Sequence, residues 1–253
     1  MRFSANLGFL WTNLTLPDAI RAAHAAGFDA VECHWPYDVP SALISKALLE
    51  TGLPLLGLNT LRGNVAAGEN GLSALPDRAA DARAAIDQAL AYAGQVKAQN
   101  VHVMAGFAKG AAAEVAFVRA LEYACDQAEV LDVTILIEPL NHYDAPGYFL
   151  SSTDHAAELI TRVNKPNLKL MFDCYHVQLM EGDISHKLEK LMPIIGHIQI
   201  ARVPDRGPPD GGELNYAHVF RHLTELGWDR PIGVEYKSDL PTDQTRAWKK
   251  ALS

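Results

Sequence analysis

The stretch NLKLMFDCYH, residues 167–176, decides the fold, because it reads as an apolar strand that ends in a carboxylate. Apolar residues fill four of the five positions from 168 to 172, which is typical of a strand that enters a hydrophobic core, and Asp173 follows directly. An ionised carboxylate in apolar surroundings is costly unless another group compensates its charge. Three further predicted strands carry a polar residue in the same way, so Asp173 is one member of a set.

Eight short apolar runs alternate with amphipathic segments along the chain. The predicted strands are 3–7, 29–34, 53–59, 100–106, 133–139, 168–175, 196–201 and 231–236. The predicted helices are 17–26, 39–50, 76–98, 112–130, 153–163, 184–192, 215–226 and 242–252. This alternation predicts a parallel sheet with helices outside, and a single closed (β/α)8 TIM barrel over residues 1–253 suits the length. An open doubly wound sheet is the alternative, although no GxGxxG pattern follows the first strand.

The composition limits the partners and the compartment. The net charge is -8, and an acidic balance opposes nucleic-acid binding, because that affinity depends on Lys and Arg replacing counterions. The three cysteines form no CxxC pair, which favours reduced thiols over a disulfide framework or a thiolate zinc site. No signal peptide is recognisable, and no apolar run approaches the ~20 residues of a membrane span. We therefore expect a cytoplasmic protein with neither a nucleic-acid nor a membrane partner.

Polar residues stand at or near the carboxyl ends of the last four predicted strands, namely Glu138, Asp173, Gln199 and Glu235. In a barrel those strand ends converge on the catalytic mouth. Side-chain alternation places each of the four inside the barrel and the apolar residue before it against the helices. Carboxylate and amide oxygens suit Mg²⁺ or Mn²⁺ better than zinc. The alternative for any one of the acidic residues is a helix N-cap or a surface group.

Several segments resemble the hydroxypyruvate isomerase family, which includes 2-oxo-tetronate isomerases and belongs to the xylose isomerase-like barrels. They are LIEPLN (136–141), PGYFL (146–150), MFDCYH (171–176), EGD (181–183), GHIQIA (196–201), DGGELNY (210–216) and GVEYK (233–237). The resemblance covers nearly the whole chain. It implies a TIM barrel that interconverts hydroxypyruvate and tartronate semialdehyde through a metal-stabilised enediolate.

The resemblance also implies roles for the strand-end residues. The family's metal ligands fall on Glu138, Asp173, Gln199 and Glu235, and the two glutamates are also its proton-transfer pair. Which glutamate removes the proton stays open. Related ketose 3-epimerases carry a histidine in place of Gln199, so the glutamine favours the isomerases.

Three further residues are candidates for substrate binding. His176 matches a histidine three residues after the aspartate in the related epimerases, and its alternative is a loop histidine that caps a carbonyl. Arg206 is the proposed partner of the substrate carboxylate, with Arg202 and Arg62 as alternatives. Asp144 lies in a loop motif typical of the family.

The second predicted strand departs from the family pattern and leaves the substrate open. It runs ECHWPYD, and His34 and Trp35 place a different aromatic wall near the mouth. A hydroxy-keto acid or a sugar therefore remains the substrate class, with 2-oxo-tetronate isomerase and ketose 3-epimerase as alternative activities. A DNA-repair endonuclease is a weaker alternative, since this chain lacks a clear His-rich ligand set and basic groove. A non-catalytic binding barrel is weaker as well, because four convergent polar ligands indicate chemistry. Relatives often pair, which leaves a homo-oligomer open.

Overall fold

The computed structural model describes residues 1–251, and these form eight parallel strands surrounded by helices. The strands are β1 (Phe3–Asn6), β2 (Ala30–Glu32), β3 (Gly57–Asn59), β4 (Asn100–His102), β5 (Thr134–Ile137), β6 (Leu168–Asp173), β7 (Ile195–Ile200) and β8 (Ile232–Val234). The α-helices are α1 (Leu16–Ala25), α2 (Ser41–Thr51), α3 (Ala79–Val96), α4 (Ala111–Glu129), α5 (Thr153–Val163), α6 (Cys174–Met180), α7 (Ile184–Leu191), α8 (Tyr216–Glu225) and α9 (Ala247–Ala251).

The sheet closes on itself and confirms the predicted TIM barrel. Ladder pairing runs in the order β2-β1-β8-β7-β6-β5-β4-β3. The ends of this order meet at a parallel bridge between Val31 and Leu55. Across the same seam, the Leu56 N–H donates to the Val31 carbonyl at 2.7 Å and the Asn59 N–H donates to the His34 carbonyl at 2.8 Å. Because the strands are parallel and closed, all their carboxyl ends lie at one mouth.

Side-chain alternation directs strand residues either to the apolar core under the helices or to the polar cavity inside the barrel, as the sequence predicts. Ile137, Phe172, Ile198 and Val234 belong to the hydrophobic core between the sheet and the helices, and all are fully buried. Residues one position earlier, such as Met171, line the cavity inside the barrel instead. Burial of each large apolar side chain contributes about 1.5–3 kcal/mol, so the outer core fixes which face of each strand points inward.

Helix ends follow local signals that the sequence carries. At α1, the Thr15 hydroxyl accepts from the Asp18 N–H, and Pro17 occupies the first turn. Gly27 just beyond the helix has a φ of 72°, a left-handed conformation that glycine adopts without steric cost. For α5 the predicted and observed bounds agree at 153–163, with Ser152 as the N-cap.

The largest disagreement with the sequence prediction lies after β6. The predicted strand 168–175 is wrong at its end, because β6 stops at Asp173 and the unpredicted helix α6 begins at Cys174. The Asp173 side chain caps this helix by accepting from the Tyr175 N–H at 2.8 Å. His176 therefore lies in the first turn of a helix and not in a loop.

Smaller differences occur elsewhere. The predicted strand 53–59 is a ladder strand only at Gly57–Asn59, and Leu55 before it forms only the isolated bridge to Val31. The predicted helix 242–252 is a 3₁₀ turn at Thr242–Gln244 followed by α9, and its last residue lies outside the described part of the chain. Across residues 1–251, the helices are all too short or too polar to span a bilayer.

Candidate active site

The four strand-end residues come together inside the mouth of the barrel. The β6–β7 register pairs Asp173 with Gln199, and the β7–β8 register pairs Gln199 with Gly233, two residues before Glu235. Asp173 and Gln199 are 1% and 3% exposed, and Glu138 and Glu235 are 7% exposed. Three carboxyl groups thus share a space that solvent hardly reaches, which is costly without a compensating positive charge.

Four buried oxygens in this space have no hydrogen-bond partner among residues 1–251. Three belong to the predicted strand-end residues, namely Glu138 Oε1, Asp173 Oδ2 and Gln199 Oε1, and the fourth is Glu32 Oε1. Asp173 is therefore both a helix N-cap and a site residue, the two alternatives that the sequence left open. One of its oxygens caps α6, and the other is the unpaired oxygen of the site. Unpaired buried oxygens from three neighbouring strands are what a hard divalent cation requires, so the residues fit a metal site of the Mg²⁺ or Mn²⁺ type.

His176 lies beside these oxygens, and its hydrogen bonds define its tautomer. Possible ligand atoms of Glu138, Asp173 and His176 lie within 4.8 Å of one another. The Asn141 backbone N–H donates to His176 Nδ1 at 3.0 Å, and Asn141 Nδ2 lies 2.7 Å from the same nitrogen. Asn141 Oδ1 accepts from the Tyr143 and Asp144 N–H groups, which fixes the orientation of that amide.

Because Nδ1 is an acceptor, the neutral ring carries its hydrogen on Nε2. Burial and the charge of Arg206 lower the pKa of His176 to about 3, so the ring is neutral at pH 7. The Nε2 atom lies 3.8 Å from Asp173 Oδ2 and 4.0 Å from Glu138 Oε1. His176 thus offers an N–H donor to the site, and the carboxylate and amide oxygens are the better cation ligands.

Arg206 supplies positive charge inside the mouth. Its Nη2 donates to Glu235 Oε1 at 2.6 Å and its Nη1 donates to Asp144 Oδ2 at 3.2 Å. The guanidinium carbon lies 4.9 Å from the ring centre of Phe9 and 5.0 Å from that of Tyr175, so the cation contacts two aromatic faces. These contacts bring the predicted residues Arg206 and Asp144 to the same edge of the site.

The carboxyl groups titrate differently because their neighbours differ. Burial raises the pKa of Glu138 well above its usual value, and the charges of Glu235 and Asp173 raise it further. Burial also raises the pKa of Asp173 to about 7, although Arg206 opposes the shift. Burial acts in the same direction on Glu235, but Arg206 and His34 outweigh it and lower the pKa of Glu235 to about 2. Glu235 is therefore ionised at neutral pH, whereas Asp173 is about half protonated at pH 7, and the pKa of Glu138 is shifted in the same direction as that of Asp173.

Sequence reasoning missed three polar residues of the site, Asn6, Glu32 and Asn141, and placed His34 near the mouth only as part of an aromatic wall. Asn6 Nδ2 donates to Glu235 Oε2 at 3.1 Å, and His34 Nε2 lies 3.7 Å from Glu235 Oε1. Glu32 and Asn141 contact Gln199 and His176 respectively. Asn6 and Glu32 end β1 and β2, so the polar strand-end pattern that identified the last four strands extends to the first two.

Two further histidines, His102 of β4 and His197 of β7, lie inside the barrel. His102 Nδ1 is 3.7 Å from Glu138 Oε2, and burial lowers the pKa of His102 to about 4, which keeps the ring neutral. His197 Nε2 lies 3.0 Å from Glu32 Oε2. Both rings therefore contact carboxylates of the site or its surroundings.

The rim of the mouth carries the alternative arginines. The Arg62 guanidinium lies 4.2 Å above the Trp35 ring, whose Nε1 donates to the Thr60 carbonyl at 3.0 Å. Arg202 is paired with Asp205 at 2.6 Å on the exposed side of its loop. Of the three arginines considered from the sequence, Arg206 is the one that contacts the strand-end carboxylates.

Comparisons with known proteins agree with this geometry. Residues 20–253 match the family described as xylose isomerase-like TIM barrel. The chain is 43% identical to 2-oxo-tetronate isomerase of Cupriavidus necator, over 98% of this chain and 97% of that one. It is 33% identical to hydroxypyruvate isomerase of Escherichia coli strain K12, over 98% of each chain. The chain belongs to the hydroxypyruvate isomerase and 2-oxo-tetronate isomerase family.

The fold comparison extends over the same length. The crystal structure of AP endonuclease, family 2 from Brucella melitensis matches with a TM-score of 0.95 and 37% identity, covering 99% of this chain and 98% of that one. The family match and the two isomerase relatives confirm the resemblance and the isomerase class predicted from the sequence. The roles of the individual site residues stay predictions, as do the metal and the substrate.

Proposed function

We propose that this isomerase acts on a short hydroxy-keto acid, with 2-oxo-tetronate as the first candidate and hydroxypyruvate as the second. The order corrects the emphasis of the sequence interpretation, which put hydroxypyruvate first. It is supported by the 43% identity to a 2-oxo-tetronate isomerase against 33% to a hydroxypyruvate isomerase. The single observation that carries the chemistry is the set of three unpaired buried oxygens of Glu138, Asp173 and Gln199 beside an ionised glutamate.

The reaction moves a carbonyl between adjacent carbons without net oxidation. A proton leaves C3 of the acid and a proton is delivered to C2, while the hydroxyl proton passes from O3 to O2, so the carbonyl moves from C2 to C3. Glu138 and Glu235 are the proposed pair that removes and returns the carbon-bound proton. A divalent cation bound by Glu138, Asp173, Gln199 and Glu235 would supply Lewis-acid stabilisation of the negative charge that develops on the substrate oxygens.

Other residues of the chain orient the substrate. Arg206 keeps N–H groups beyond those that bind Glu235 and Asp144, because a guanidinium has five, and it is the proposed partner of the substrate carboxylate. His176 donates through Nε2–H to a substrate oxygen. Asp144 accepts from Tyr175 and Arg206, and it is proposed to bind a substrate hydroxyl or to hold Arg206 in place.

The test follows the proton and not only the product. Purified protein, stripped with a chelator and reloaded with Mn²⁺ or Mg²⁺, receives 2-oxo-tetronate or hydroxypyruvate in D₂O, and NMR follows both product and deuterium on carbon. We expect turnover with deuterium at the reacting carbon, and higher kcat/KM for 2-oxo-tetronate. Glu138→Gln and Glu235→Gln should each lower kcat by at least about 100-fold, the usual contribution of a positioned acid or base.

A matched control is Glu181→Gln. Glu181 is a part-buried carboxylate that accepts from the Thr153 N–H at 2.7 Å and from Lys187 at 2.6 Å, away from the strand ends. Its loss should leave kcat/KM within about threefold. Folded, metal-loaded protein that neither converts the two acids nor exchanges their carbon-bound protons would refute the substrate class, and D-psicose and related ketoses would then be the next substrates.

A further inference from the structure

A buried carboxylate that is outside the proposed ligand set contacts the proposed metal ligand Gln199. Glu32, the last residue of β2, is 5% exposed. Its Oε2 accepts from Gln199 Nε2 at 2.8 Å and lies 3.0 Å from His197 Nε2. Both partners come from β7, on the far side of β1 and β8 in the strand order, so the contact crosses the interior of the barrel.

The contact matters because a glutamine side chain has two ends of nearly the same shape and opposite chemistry. Its oxygen can bind a cation, whereas its NH₂ group is a donor and cannot. The Glu32 oxygen is the acceptor in this contact, so it holds the nitrogen end of the Gln199 amide. With its nitrogen bonded to Glu32, the Gln199 amide directs Oε1 away from Glu32. This oxygen is buried and has no hydrogen-bond partner among the described residues.

Two neighbouring residues, His197 and Gly233, hold the Glu32 and Gln199 side chains in contact. The His197 ring contacts the same Glu32 oxygen that Gln199 Nε2 contacts. Gly233 of β8 supplies the space, since a Cβ at that position would overlap Glu32 Oε1 and lie 2.8 Å from both Gln199 Cγ and His197 Nε2. Gly233 thus lies against Glu32, Gln199 and His197, and the absence of its side chain leaves room for all three.

We propose that Glu32 is a positioning residue that orients the Gln199 amide, so that the oxygen and not the nitrogen is available to the cation. The proposal rests on the metal site of the proposed function. Hydrogen-bonded partners behind metal ligands usually change metal affinity by about 10–100-fold when they are removed. We expect a loss of that size when Glu32 can no longer accept from Gln199.

Two substitutions at Glu32 separate orientation from charge. Glu32→Leu removes every acceptor, and the Gln199 amide is then free to turn. Glu32→Gln removes the charge but can keep an acceptor oxygen within reach of both Gln199 Nε2 and His197 Nε2. Calorimetric titration of the metal-free proteins with Mn²⁺ should show binding at least about tenfold weaker for Glu32→Leu and within about threefold of wild type for Glu32→Gln. Equal losses in the two variants would overturn the proposal, because charge alone would then account for them.

A double-mutant cycle tests whether Glu32 acts through Gln199. Gln199→Leu should weaken Mn²⁺ binding by itself, and adding Glu32→Leu should then cost no more than about a further twofold. A full additional loss would refute the positioning role. If Glu32→Leu does not fold, Glu32→Ala takes its place, since water entering the vacated space can bond either end of the amide.

The controls distinguish this inference from the function on which it rests. Thermal unfolding of the metal-free variants reports any purely structural cost, and Glu181→Gln should bind Mn²⁺ as wild type does. Wild-type protein that binds no Mn²⁺ refutes the metal site itself. Wild-type binding that Glu32→Leu leaves unchanged refutes only the role of Glu32.

Discussion

Metal affinity should rise steeply with pH, because protons and the cation compete for the same oxygens. The pKa of Asp173 is raised to about 7 by burial, and that of Glu138 is raised as well. From pH 6 to pH 8 the ionised fraction of a group with a pKa of 7 rises about tenfold, so Asp173 alone should tighten apparent binding by about that factor. Glu138, whose pKa is raised in the same direction, should add to this change.

The assay is calorimetric titration with Mn²⁺ at pH 6, 7 and 8, in buffers of different ionisation enthalpy, which also counts the protons released. We expect one to two protons released per ion at pH 6 and fewer at pH 8. Affinity that is flat over this range, with no proton release, would refute the electrostatic account of the site.

The same titration sets the pH dependence of stability. For Asp173 the folded-state pKa is raised from 3.8 to about 7, so its contribution to stability is complete below about pH 4 and is lost as the pH rises through about 7. For Glu235 the folded-state pKa is lowered from 4.5 to about 2, so its contribution is present above pH 4.5 and is lost as the pH falls through about 2. Bound metal should therefore raise Tm more at pH 8 than at pH 6.

Three substitutions test other parts of the structure. Arg206→Met removes the charge that lowers the pKa of Glu235 against the effect of burial. The pKa of Glu235 should therefore rise, and the acid limb of the kcat/KM profile should move to higher pH. An unchanged acid limb would contradict the pairing of Arg206 with Glu235. His176→Gln should lower kcat/KM by about 10–100-fold through loss of one hydrogen bond to a charged oxygen, while Mn²⁺ affinity stays within about threefold; a tenfold loss of affinity would make His176 a metal ligand. Phe172→Ala should destabilise the fold by about 3–5 kcal/mol in urea unfolding, because the ring is fully buried in the outer core, and the fraction that stays folded should bind Mn²⁺ normally.

The sequence predicted most elements because their signals are local. Apolar runs at the strand period and amphipathic runs at the helix period are properties of consecutive residues. The start of α5 is likewise marked locally, by the N-cap Ser152. The failure at α6 has the same origin. Asp173 is both the end of a strand and the cap of a helix, and apolar residues continue across the boundary, so no change of period marks it.

In the site, too, the sequence predicts what depends on local residue patterns. Polar residues at successive strand ends identify Glu138, Asp173, Gln199 and Glu235, since parallel closure brings such ends together whatever the loops do. The sequence therefore determined the barrel and the position of a carboxylate-rich mouth.

Only the tertiary structure decided which groups contact one another there. Arg206 meets Glu235 across 29 residues of chain, and Glu32 meets Gln199 across 167. Asn141 fixes the tautomer of His176 from 35 residues away. Such contacts leave no local pattern, because they depend on the closure of the sheet and on the space left at Gly233. The residue types at the mouth are thus set by the sequence, whereas their protonation and the orientation of the Gln199 amide follow from the burial and the neighbours that closure supplies.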